Sequence, residues 1–161
     1  MNVGDTLGGG TFGVVFVALD GNTKVALKKI KMEREKQGFP ITAIREIRIL
    51  KQLKHENIVT LREIIVFNDD EDGEKFKGVS DFAHGDVFMV FEYIDYDLYG
   101  LLKSPGVILS QAHVRSYTKQ LLEGVNFLHK NHILHRDIKS ANILITNTNQ
   151  LKLADWGLAR F

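Results

Sequence analysis

Within eight residues the segment "HRDIKSAN" collects His135, Arg136, Asp137, Lys139 and Asn142, with the apolar runs "HIL" and "ILI" on either side. Five polar groups set between apolar segments would be costly to bury without purpose. The spacing H-R-D-x-x-x-x-N has a chemistry of its own. Asp137 can accept the proton of an attacking hydroxyl, Lys139 can steady a phosphoryl group in transfer, and Asn142 can ligate magnesium. Asp155, further along in "LADWG", can coordinate a magnesium ion that bridges the β- and γ-phosphates of a nucleotide.

Two earlier features bear on the same chemistry. Gly8, Gly10 and Gly13 form G-x-G-x-x-G, and "GGGTFGVVFVALD" runs from the glycines into β-branched residues rather than into a helix. That context argues against a dinucleotide fingerprint. It leaves two readings open: a flap whose backbone approaches phosphate oxygens closely because no Cβ intervenes, or a hairpin without function. Lys28 ends "VALK" on the strand face of Ala26 and Ile30, and Glu46 sits among Ile44, Ile47 and Leu50. Singly, each reads as well as a solvated surface charge. Jointly, a helical carboxylate could hold a strand ammonium against the α- and β-phosphates.

The elements that must position these groups follow from periodicity. "VVFVALD" and "TKVALKKI" are β-branched and separated by Asp20, Gly21 and Asn22, which predicts a hairpin. In "FPITAIREIRILKQL", Ile41, Ile44, Ile47 and Leu50 recur every three residues just after Pro40, which predicts a helix with that apolar stripe. "IVTLREIIVF" and "DVFMVFEYI" are strand-like, and the Asp/Glu/Gly-rich stretch 68–86 between them reads as a solvated loop. Ser110 is the N-cap of a predicted helix 110–132 with Val114, Tyr117, Leu121, Val125 and Leu128 on one face. "NILITN" and "QLKLAD" predict a small hairpin, with Leu151, Leu153 and Asp155 on one face of its second strand. Strands with one helix, then helices with a hairpin, make an α+β pattern in two lobes.

Composition excludes several classes. The charges nearly cancel, 21 basic against 20 acidic, so nothing argues for direct contact with nucleic acid or an anionic membrane. There are no cysteines, hence no disulfide and no thiolate zinc site, as suits a reducing compartment. The start "MNVGDTLGGG" has no basic or apolar leader region, and no run approaches 18 apolar residues, so the expectation is a soluble intracellular protein.

In order and spacing, "LGGGTFGVV", "VALK", Glu46, "HRDIKSAN" and "DWG" resemble the eukaryotic protein kinase set over the whole chain. "GFPITAIRE" is similar to the cyclin-binding helix of cyclin-dependent kinases, in particular the transcription-associated branch that phosphorylates the C-terminal tail of RNA polymerase II. The resemblance implies a protein-kinase-like fold, with an N-lobe and hinge over about 1–93 and the first part of a C-lobe over 94–161. It implies ATP and Mg2+ as cofactors, with Asp137, Lys139, Lys28 and Glu46 in catalysis and Asn142 and Asp155 on the metal. Leu7, Gly8, Gly10, Gly13, Val15, Ala26, Lys28, Phe91, Glu92 and Ile94 would meet the nucleotide, Phe91 as gatekeeper and Glu92 to Ile94 as hinge. A cyclin would bind through Phe39–Glu46, with Ile44 entering its pocket, and the protein would act in the nucleus on a protein substrate such as the polymerase tail.

Some positions depart from the family. Trp156 stands where most members have Phe, although casein kinase two also carries Asp-Trp-Gly, and the larger ring should alter packing around the catalytic loop. Gly9 replaces a common acidic residue, and Phe12 the inhibitory tyrosine of cell-cycle members, beside a retained Thr11. Arg45, Arg136 and Arg160 match a clamp for a phosphothreonine that lies beyond Phe161 in the family. From this the chain reads as the first half of a kinase, and by itself as an inefficient one.

Overall fold

The computed structural model describes residues 2–10, 13–31, 39–67 and 85–161. Thr11, Phe12 and most of the acidic stretch (68–84) lie outside these described residues. The chain divides into two compact units, residues 1–44 with 61–93, and residues 45–60 with 94–161.

The first unit is a five-stranded antiparallel sheet in the order β1-β2-β3-β5-β4. Its strands are β1 (Asn2–Gly10), β2 (Gly13–Asp20), β3 (Thr23–Lys29), β4 (Leu61–Val66) and β5 (Val87–Glu92). The predicted β2–β3 hairpin closes with Asp20 opposite Thr23. Gly21 turns the chain at φ 59°, a conformation that costs glycine little and other residues more. One face packs Ala18, Val25, Leu27, Phe67, Phe88 and Val90 into a core, with Phe16 and Ile65 against it. β5 is buried along almost its whole length, as its near-continuous apolar sequence requires of a strand paired on both edges.

Helix α1 (Ile41–Gln52) forms where the period predicted it, and its apolar stripe is buried only in part. Ala43, Glu46, Ile49 and Leu50 are buried, whereas Ile41 is 72% and Ile44 50% exposed. A strict three-residue spacing drifts around a 3.6-residue helix, so Ile41 and Leu50 cannot share one face.

The second unit contains a three-stranded antiparallel sheet, β6 (Tyr96–Asp97), β7 (Ile143–Ile145) and β8 (Leu151–Leu153), with helices α2 (Leu98–Lys103) and α3 (Gln111–Lys130). α3 begins as predicted: Ser110 Oγ accepts from His113 N, and His113 Nδ1 accepts from Ser110 N, both at 3.3 Å. This reciprocal box satisfies two otherwise unpaired N–H groups. At the other end Ile133 N donates to Leu128 O at 2.9 Å and His132 N to His129 O at 3.0 Å. With His132 at φ 58°, this is a Schellman stop, sealed by the buried pair Leu128 and Ile133. Of the predicted face, Tyr117 and Leu128 are buried, Leu121 and Val125 half-buried, and Val114 is exposed. Among the described residues no helix is long and apolar enough to cross a membrane.

Candidate active site

In the first unit the sheet register aligns several predicted nucleotide contacts. Gly8 pairs with Val15 and Val15 with Lys28, one lateral row across β1, β2 and β3. Ala26 pairs with Phe91, and the next pair is Val25 with Glu92. Leu7 lies in β1, and Gly10 opposite Gly13 closes the glycine hairpin. Lys28 is only 8% exposed. An ammonium at that depth is not a solvated edge charge, so the surface reading of Lys28 fails. The surface reading of Glu46 fails likewise: it belongs to the second unit and is 5% exposed. Ile94, beyond the end of β5, also counts with the second unit and is half-buried.

In the second unit the short-range motif folds on itself. Lys139 Nζ donates to Asp137 Oδ2 at 2.8 Å. Asn142 Nδ2 donates to the same Oδ2 and to the Asp137 carbonyl, both at 2.9 Å. The bond from Lys139, with help from Asn142, holds the Asp137 carboxyl below its ordinary range. The carboxylate is therefore ionised and able only to accept, as a proton acceptor for a hydroxyl must be. The bond to Asp137 in turn raises the Lys139 ammonium above its usual value, and the charge of Asp155 adds to this. Asp137 N donates to His135 Nδ1 at 3.3 Å, which assigns the ring's single N–H to Nε2, donating to the Ala154 carbonyl at 3.0 Å. Burial lowers the His135 pKa against the opposing pull of that carbonyl, Asp155 and Asp137, so the ring is neutral.

Asp155 corrects a sequence expectation. It does not continue the face of Leu151 and Leu153, because β8 ends at Leu153 and Asp155 turns left-handed at φ 61°. Ala154 N donates to the Asn142 carbonyl at 2.9 Å just before that turn. Arg136 is also left-handed, at φ 68°. Two such non-glycine residues cost about 1–3 kcal/mol each and cluster where side chains must be aimed. Asn142 spends its Nδ2 on Asp137, so its ligand-type atom is Oδ1. One amide oxygen and one carboxylate, Asp155, suit magnesium, which is commonly held by one or two carboxylates together with substrate phosphates. Among the described residues no cluster of three His, Cys, Asp or Glu forms a metal cage of the protein's own.

Trp156 is 1% exposed and packs on His135, with ring centroids 4.6 Å apart at 60°. Its Nε1 has no hydrogen-bond partner among the described residues. Arg160 pairs with Leu134 through two backbone bonds of 2.8 and 3.0 Å, and Arg136 Nε donates to Leu158 O at 2.7 Å. Burial first, then the charges of Arg45 and Arg136, lower the Arg160 pKa, so Arg160 feels the other two guanidiniums of the expected clamp. The motifs missed Asn57 and Gln120. Both amides bind the backbone of Leu151, 94 and 31 residues away, and a bond between such distant positions leaves no periodic trace in the sequence.

The protein kinase domain profile matches residues 1–161. The chain belongs to the protein kinase family. Its relatives include cyclin-dependent kinase C-1 of Oryza sativa subsp. japonica, 48% identical over 97% of this chain and 31% of the relative. Cyclin-dependent kinase 12 of Drosophila melanogaster is 51% identical over 96% of this chain and 13% of the relative. Cell division control protein 2 homolog 2 of Pisum sativum is 49% identical over 84% of this chain and 90% of the relative. The chain spans about a third or less of the length of the first two. Lys139 and Asn142 both donate to the Asp137 carboxylate of this kinase sequence.

Proposed function

We propose that this kinase transfers the γ-phosphoryl group of ATP to serine or threonine hydroxyls of protein substrates, in partnership with a cyclin. The observation that supports it most is the ionised Asp137 carboxylate, tethered by Lys139 and Asn142. In this reading Asp137 takes the hydroxyl proton, Lys139 stabilises charge on the phosphoryl group, and Asn142 and Asp155 hold magnesium. Magnesium, when bound, neutralises charge on the β- and γ-phosphates. Lys28 would meet the α- and β-phosphates, with Glu46 in the supporting part that the resemblance gives it. Leu7, Gly8, Gly10, Gly13, Val15 and Ala26 would cover the nucleotide, with Phe91, Glu92 and Ile94 at its adenine. The likeness of "GFPITAIRE" to the transcription-associated branch points to a nuclear kinase acting on the RNA polymerase II tail.

The exposed isoleucines of α1 favour a second reading, cyclin and nucleotide binding without efficient transfer. Covering an exposed isoleucine contributes about 1.5–3 kcal/mol, so Ile41 and Ile44 suit an apolar pocket on a partner. A single-turnover assay with labelled ATP, a bound cyclin and a polymerase-tail peptide separates the two. Transfer that falls at least about a hundredfold in Asp137→Asn supports the first reading. Capture of cyclin with no label transferred supports the second. Transfer unchanged by Asp137→Asn would refute the role given to that carboxylate.

A further inference from the structure

The strand that delivers Asp155 is held along its outer edge by two amides outside the residue set proposed for the chemistry. β7 pairs with one edge of β8. On the other, Leu153 N donates to Asn57 O at 2.9 Å and Val59 N to Leu153 O at 3.0 Å. That leaves the outward N–H and C=O of Leu151, which a neighbouring strand would ordinarily pair. Amides take its place. Leu151 N donates to Gln120 Oε1 at 2.7 Å, and Asn57 Nδ2 donates to Leu151 O at 2.9 Å. Asn57 Nδ2 also donates to Gln120 Oε1 at 3.2 Å, so the two amides brace each other. Gln120 Nε2 donates onward to Asn149 O at 3.1 Å and Ser116 Oγ at 3.0 Å. One side chain of α3 thus grips the hairpin on both sides of Gln150.

We propose that Gln120 is a positioning residue for the metal-holding Asp155, acting through the register of β8. The chain of contacts is short. Gln120 fixes Leu151, the strand runs two residues to Leu153, Ala154 N bonds Asn142 O, and Asp155 turns at once into its left-handed conformation. A slip of β8 along its axis moves Asp155 relative to Asn142, the other proposed metal ligand. Supporting residues one step removed from a metal commonly change its affinity 10- to 100-fold.

The protein carries its own probe, because Trp156 is its sole tryptophan, directly follows Asp155 and is buried against His135. The test compares the full chain with Gln120→Met, which removes all four bonds, and with Gln120→Glu, which keeps the two acceptor bonds and loses the two donor bonds. Trp156 emission is recorded without ligand well below the unfolding midpoint, and magnesium is then titrated at fixed ATP. The expected result for Gln120→Met is red-shifted emission and about a tenfold higher magnesium concentration at half-saturation, with Gln120→Glu in between. A role in stability alone would lower the midpoint and leave both readouts at wild type, which would overturn the proposal. If Gln120→Met does not fold, wild-type emission and magnesium response in Gln120→Glu overturn it equally. The magnesium arm rests on the nucleotide reading above. The emission arm does not, so wild-type failure to bind ATP would sink that reading while unshifted emission would sink this one.

Discussion

His135 ties three things together: the Asp137 amide, the Ala154 carbonyl that precedes Asp155, and the ring of Trp156. All three bonds or contacts are made by a neutral ring, which burial enforces. The sign of the pH dependence follows. The folded pKa lies below the unfolded value of 6.5, so the unfolded chain binds the proton more readily and stability falls as pH drops below 6.5. Asp137 acts in the same direction but only below the ordinary carboxylate range, since its folded pKa is depressed as well. The two windows therefore separate. Unfolding midpoints measured in magnesium-free buffer should fall between pH 7.5 and 5.5 in the wild type and markedly less in His135→Gln. Equal slopes would place the sensitivity elsewhere.

At the scale of elements, local chemistry decided what the sequence could disclose. The start of α3 was legible because Ser110 and His113 lie three apart and satisfy each other's backbone N–H groups. The β2–β3 hairpin was legible because Asp20-Gly21-Asn22 supplies the turn. α1 was legible as a helix but not in its facing, since its isoleucines wind around the axis and the buried side carries Glu46. The end of β8 was misread because alternation says nothing of where a strand stops, and Asp155 leaves it through a left-handed turn set by distant bonds. Ser110→Ala removes one cap bond and should cost about 1 kcal/mol. For a chain of this size that is a fall of about 2–4 °C in the unfolding midpoint. An unchanged midpoint would mean that packing around Tyr117, not the cap, holds the helix start.

For the whole molecule, the proposed site residues divide between the two units: the glycine hairpin, Lys28 and Phe91 lie in one, Asp137, Asn142 and Asp155 in the other. The residues proposed for the chemistry stood out as candidates because each lies in a short stretch with characteristic spacing. The amides that support them did not, because Asn57 and Gln120 act across 94 and 31 residues. Ile44 belongs to this scale too. At 50% exposure, Ile44→Glu should leave the unfolding midpoint within about 2 °C, as surface substitutions do. The same change should abolish cyclin capture in a pull-down; retained capture would remove α1 from the proposed interface. The most direct test of the account is calorimetric titration of ATP into the wild type and Asp155→Asn, with and without magnesium. Asparagine also tolerates the left-handed backbone, so the substitution removes the charge without forcing the turn to change. The account predicts that magnesium tightens ATP binding to the wild type and that Asp155→Asn loses that gain at least tenfold. An equal magnesium effect in both proteins would contradict it and leave Asp155 as a polar residue at a strand end.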